Sequence, residues 1–195
     1  DRNGNSIAEN SMGFSLELYK SKADSETLNQ TILNILEVLE KNGDSYTNTF
    51  PINIDENGNF IFSFDSEEKL NKWKQKNKIQ DLNTAEECFN YFKDKYKIQF
   101  EDNAIARKVM ATRYQITQDG YSTTKSVKIS SNISRKSALE FNERNDKFPG
   151  VSVVVEPNRN YISNNLASHV VGTIGRITED ELESKSEDGR YLSSD

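Results

Sequence analysis

The sequence predicts an α+β fold: short strands and amphipathic helices in thin, elongated subdomains, with a mainly helical lobe inserted along the way. Three observations carry this. Of 195 residues, 34% are hydrophobic and 29% charged, which is polar for a thick globule, yet ten Phe, eight Tyr and one Trp argue against disorder. The apolar period switches repeatedly between two and 3.6. Residues 50–115 carry a hairpin and three helices with apolar positions enough for a small core of their own. This divides the chain into a first part, 1–49, an inserted lobe, 50–115, and a second part, 116–195.

Residues 6–10 and 13–20 read as two short strands, the second alternating Phe14, Leu16 and Leu18 with polar neighbours. The spacing of Leu28, Ile32, Ile35, Leu36 and Leu39 predicts a helix from Ser25 to Lys41, capped by Asp24 or Ser25 and stopped by Asn42-Gly43. Residues 50–64 predict a hairpin with Ile52 and Ile54 on one arm, Phe60, Phe62 and Phe64 on the other, and Asn57-Gly58 at the turn. The Asp55-Glu56-Asn57-Gly58-Asn59 stretch resembles a calcium loop only superficially. It lacks glycine at the sixth loop position and glutamate at the twelfth.

Three helices follow, at 66–77, 84–96 and 102–113. Leu70 and Trp73 face inward in the first, Cys88, Phe89 and Phe92 in the second, Ile105, Val109 and Met110 in the third. Val127 and Ile129 mark a strand. Ser134 caps a helix reaching Asn145, with Ala138, Leu139 and Phe141 inward, and Pro149-Gly150 turns the chain into a buried strand over Val151–Val155.

Several function classes lose their chemistry here. A net charge of −6 disfavours a nucleic-acid binder, and the Lys-rich stretch Lys69 to Lys78 is interrupted by acids, as on a solvated helix face. One cysteine, Cys88, allows no intramolecular disulfide or thiolate cluster, and beside Phe89 and Phe92 it reads as a buried hydrophobe. One histidine, His169, leaves no histidine pair for a metal site or acid–base couple, so its expected role is a structural hydrogen bond. Gly172-Thr173-Ile174-Gly175 lacks the third glycine and the lysine of phosphate loops. No apolar run approaches the ~20 residues that cross a bilayer. No catalytic residue, metal ligand or cofactor site is assigned.

Ser122-Thr123-Thr124-Lys125 satisfies S-x-x-K, and Ser130-Ser131-Asn132 satisfies S-x-N, two signatures of penicilloyl-serine transferases. That chemistry needs the serine at a helix start, with the lysine one turn on. Here the serine follows an Asp119-Gly120 turn, the lysine leads into a strand, and the chain contains no Lys-Thr-Gly or Lys-Ser-Gly triplet. Acidic pairs such as Glu67/Glu68 and Glu86/Glu87 lie at predicted helix starts, where carboxylates favour the dipole. Two rival readings stay open: a small hydrolase built on a carboxylate pair, and a secreted adhesion or sensor domain.

The two ends of the chain carry a resemblance. Asp1-Arg2-Asn3-Gly4 with Ile7-Ala8-Glu9-Asn10 resembles the D-R-N-G-x-x-(I/L)-A-x-N opening of class B penicillin-binding proteins, penicillin-binding protein 2-like members included. Phe148-Pro149-Gly150-Val151-Ser152-Val153 is similar to that family's PGV strand, Arg159-x-Tyr161 to its R-x-Y-P motif, and Leu166 to Gly175 to its "laaHvlGyvG". The blocks follow family order; Ile162 stands where proline is usual and Asn164 where glycine is common. The resemblance implies a non-catalytic pedestal, the dimerisation domain, between a single-pass membrane anchor and a D,D-transpeptidase domain, both outside these residues. It implies an extracytoplasmic place, where an exported chain without a disulfide fits a Gram-positive bacterium, and contacts with the protein's own transpeptidase domain, with a SEDS-type glycosyltransferase or other morphogenesis proteins, or with a second copy. It further implies that Asp1, Arg2, Asn3, Gly4, Arg159, Tyr161, His169, Gly172 and Gly175 belong to one structural motif near the base. In it, arginine forks make bidentate bonds and the glycines permit close backbone approach.

Overall fold

A computed structural model describes the backbone of residues 8–161 and the side chains of residues 11–157. The chain divides into two units, Asp1–Ser11 with Arg159–Asp195 and Met12–Asn158. The order of elements is β1 (Ala8–Leu18), α1 (Ser25–Asn42), β2 (Ile52–Ile54), β3 (Phe60–Phe62), α2 (Glu67–Asn77), α3 (Ala85–Lys95), α4 (Asn103–Asp119), β4 (Val127–Ile133), α5 (Arg135–Glu143) and β5 (Val151–Tyr161). One sheet has the order β4-β1-β5, and β2-β3 form a hairpin. The fold class is α+β, as the sequence predicts.

β1 is one strand where the sequence suggests two. Its alternation puts Leu16 and Leu18 in the core and the Ser15 and Glu17 side chains on the opposite face. Against β4 the register runs Phe14↔Ile133, Leu16↔Ser130, Glu17↔Lys128. Two steps along β1 thus match three along β4, and the next single step matches two, so β4 is bulged twice. Asn132, at φ 56°, supplies the left-handed residue of the first bulge, a conformation asparagine tolerates better than most.

α1 begins on Asp24, whose carboxylate accepts from Thr27 N at 2.8 Å, and ends on Gly43 at φ 77°. It buries Leu28, Ile32, Ile35, Leu36 and Leu39 as predicted, and also Asn29. The Asn29 amide donates to the Tyr96 and Lys97 carbonyls at 3.0 and 2.9 Å, tying α1 to the end of α3. α3 has the capping box Thr84/Glu87. α4 runs six residues past its predicted end. In this extension Tyr114, Ile116 and Thr117 have only middling helix propensity, but Tyr114, Gln115 and Ile116 are buried, and packing outweighs propensity there.

The aromatic centre is Phe92, with the rings of Phe50, Trp73 and Tyr114 at 5.5, 5.7 and 5.8 Å. Trp73 Nε1 donates to the Tyr114 hydroxyl at 2.9 Å. Cys88 is fully buried beside Phe89, a small hydrophobe as expected. Buried residues form one connected cluster from Leu16 to Phe148. Two burial expectations fail: the strand over Val151–Val155 is only partly buried, with Val155 56% exposed at the solvent side, and on α5 Leu139 is 50% exposed while Ala138 and Phe141 are buried. At about 100° per residue, Leu139 lies far round the helix from Phe141 and meets solvent. α5 also stops at Glu143, short of the predicted Asn145, and a 3-10 turn over Asn145–Lys147 follows.

Candidate interaction surface

The face of the β4-β1-β5 sheet opposite the core is held by charge. Lys128 on β4 reaches across the central strand to Glu156 on β5, its Nζ donating to both carboxylate oxygens at 2.7 and 2.8 Å. The Ser15 hydroxyl, from β1 between them, donates to Glu156 Oε2 at 2.6 Å. Beside it the Ser126 hydroxyl donates to Glu17 Oε2 at 2.6 Å. The Lys128 and Ser15 bonds hold the Glu156 carboxyl below its ordinary range, more than its partial burial raises it. All three strands are therefore pinned across one seam. Sequence reading missed it; the only trace is the polar alternation at Ser15, Glu17 and Lys128.

The turn into β5 is fixed by close backbone approach. Gly150 has φ 86°, and a Cβ built there would lie 2.4 Å from the Tyr19 carbonyl oxygen. Its own carbonyl accepts from Tyr19 N at 2.8 Å, so the end of β1 meets the start of β5. Moving back along β1 from Tyr19 to Ser15 moves forward along β5 from Gly150 to Glu156, which makes the pair antiparallel. Phe148, before the turn, is buried edge-on against Phe141 with centroids 5.0 Å apart. The Pro-Gly-Val block thus has a physical reason for its glycine.

Of the residues assigned to the end motif, Arg159 and Tyr161 lie in β5, where only the backbone is described. Asp1, Arg2, Asn3, Gly4, His169, Gly172 and Gly175 lie outside the described residues. The family model for the penicillin-binding protein dimerisation domain matches residues 1–195.

The chain belongs to that family.

This dimerisation domain is 37% identical over 65 residues to the peptidoglycan D,D-transpeptidase MrdA of Acinetobacter baumannii, covering 33% of this chain and 10% of that protein. Penicillin-binding protein 2B of Streptococcus pneumoniae strain 5204 aligns with a TM-score of 0.53 and 15% identity, over 97% of this chain and 29% of that one, which speaks to fold. A second structure of that protein, from strain R6, aligns at 0.40 with 16% identity over the same shares. The dimerisation domain therefore spans under a third of these solved relatives.

The two catalytic look-alikes have structural roles. The Ser122 hydroxyl accepts from the backbone N–H of Thr124 and Lys125, at 3.2 and 3.0 Å, in a loop before β4. Lys125 Nζ turns away and donates to the Asp119 carbonyl at 2.7 Å, closing the end of α4. Ser130 is buried and donates to the Ser45 carbonyl. No group of these can pass a proton from the Ser122 hydroxyl to a lysine amine. The Asp55 stretch is a turn: Asp55 Oδ1 accepts from Asn57 N and Asn59 N at 2.9 and 2.8 Å, and these bonds with the Asn59 side chain depress its pKa. Among the described residues no three acidic, histidine or cysteine side chains are placed to hold a metal ion. No described helix is long and apolar enough to cross a membrane.

Proposed function

We propose that this dimerisation domain is the non-catalytic scaffold of a class B penicillin-binding protein. In this reading it positions a peptidoglycan D,D-transpeptidase domain and meets a SEDS-type glycosyltransferase or another cell-wall synthesis partner. The observation that carries the reading is the family match across all 195 residues. The reading places the protein at the extracytoplasmic face of a Gram-positive membrane, held by a single span outside these residues. Residues 1–49 and 116–195 form the pedestal and 50–115 its head, with a second copy of the chain as another partner.

The end blocks are assigned to the base of this pedestal. Antiparallel β1 and β5 support this, because β1 begins at Ala8 and β5 ends at Tyr161. On that pairing, Arg2 and Arg159 belong to one motif with Asp1, Asn3, Gly4, Tyr161, His169, Gly172 and Gly175. The seam of Lys128, Ser15 and Glu156 supplies the stiffness a positioning element needs, since each strand is cross-linked to its neighbours by side chains as well as by the ladder.

Co-purification of the full-length protein with its SEDS-type glycosyltransferase tests the reading. Capture should persist when the transpeptidase domain is deleted and disappear when residues 1–195 are replaced by an unrelated spacer of similar length. Unchanged capture with the spacer contradicts the scaffold role.

A further inference from the structure

A cleft of about 400 Å³ opens beside the C-terminal half of α4, lined by Leu28, Tyr96, Arg113, Ile116 and Tyr121, with the exposed Lys20 and Asp24. Arg113 is half-buried, its guanidinium carbon 5.5 Å from the centroid of the Tyr96 ring. Among the described residues its guanidinium makes no hydrogen bond or ion pair. Arg107, one turn and a half earlier on α4 and also half-buried, shows how this fold treats a structural arginine. Its guanidinium donates to the Ile52 and Phe50 carbonyls at 2.8 and 3.4 Å and to the Asn53 side chain. Half-buried guanidinium groups ordinarily find such acceptors.

Two neighbours point the same way. Tyr96 is 4% exposed, yet its hydroxyl has no hydrogen-bond partner among the described residues. Burial pushes that phenol up more than the adjacent Thr117 hydroxyl draws it down, and the Thr117 proton goes to the Arg113 carbonyl at 2.9 Å. Lys95 lies over the rings of Phe92, Tyr91 and Tyr96 at 5.3, 5.6 and 6.0 Å, with no carboxylate partner among the described residues. In a chain of net charge −6, two cations share one aromatic ring, and neither has an acid among the described residues. The acid that lines the cleft, Asp24, is committed to capping α1.

We propose that this cleft binds the carboxylate side chain of an acidic peptide, with Arg113 as its bidentate donor, its guanidinium held by stacking on the Tyr96 ring. Leu28, Ile116 and Tyr121 receive the aliphatic stem. A single guanidinium fork matches a carboxylate in shape, and apolar walls suit a monoanion on a methylene chain. A dianion such as phosphate would face the Asp24 carboxylate with too few donors to offset it. The choice of a peptide over a free acid rests on the scaffold reading above; the chemistry of the cleft does not.

The test titrates the isotope-labelled 195-residue chain with blocked Ala-Glu-Ala by NMR, with blocked Ala-Gln-Ala and inorganic phosphate at matched ionic strength as controls. Saturable shifts of the Arg113 Nε–H and the Tyr96 and Thr117 amides are expected for the glutamate peptide alone. Arg113→Gln should weaken binding about tenfold or more. Tyr96→Phe keeps the ring under the guanidinium and removes only a hydroxyl sealed from solvent, so it should leave binding within about twofold, while an unchanged melting temperature of Arg113→Gln separates lost binding from lost folding. Absence of saturable shifts, equal response to the glutamine peptide, preference for phosphate, or unchanged binding by Arg113→Gln overturns the proposal. None of these outcomes touches penicillin labelling or partner capture, so the scaffold reading is judged separately.

Discussion

Gly150 concentrates two demands on one residue: a φ of 86° and a Tyr19 carbonyl 2.4 Å from where a Cβ would sit. Backbone cannot yield as a flexible side chain would. Gly150→Ala should therefore cost about 2–4 kcal/mol, read from denaturant unfolding, whereas Gly43→Ala, strained in φ but with open space, should cost less. Glu156 offers a pH test. Its folded pKa is depressed, so its contribution is present above the ordinary carboxyl range and lost as pH falls through the folded value. The group is more than a third exposed, which screens it, and Glu156→Gln should cost no more than about 1 kcal/mol at neutral pH. The variant and the parent should converge in stability as the pH drops below about 4. At this scale the sequence was legible where one residue decides the matter, as at Asp24, Gly43 and Cys88. It was silent on Ser15, Lys128 and Glu156, whose meeting depends on which strands are neighbours.

Helix faces show where periodicity is reliable. α1 has five apolar positions on one stripe, and all five are buried. α5 has three candidates within four positions, Ala138, Leu139 and Phe141, of which a helix can bury only those on one side. Phe141→Ala should cost about 3–5 kcal/mol because the ring packs on Phe148, while Leu139→Glu should stay within about 0.5 kcal/mol. Equal costs for both would mean the helix is rotated from the face described. The end of α4 eluded sequence reading for a different reason. Tyr114, Ile116 and Thr117 have only middling helix propensity, and burial of Tyr114, Gln115 and Ile116 against other elements carries the helix through them. Gln115 contributes directly, donating to the Lys128 carbonyl at 2.8 Å and so joining the helix to β4.

For the whole molecule, the α+β class followed from period switching and composition, while the sheet order β4-β1-β5 did not, since it joins strands more than a hundred residues apart. The family signal rests on blocks at the two ends, most of which lie outside the described residues, and the Gly150 turn is the one whose physical cause is visible. The scaffold account makes its sharpest claim about chemistry. Ser122 spends its hydroxyl on two backbone N–H groups, and Lys125 spends its amine on the Asp119 carbonyl. Neither is poised to attack a β-lactam. The most direct measurement is labelling of the 195-residue chain with a fluorescent penicillin, followed by denaturing electrophoresis. The account predicts no covalent adduct above the background of the Ser122→Ala variant. Rapid stoichiometric labelling that vanishes on Ser122→Ala would contradict it.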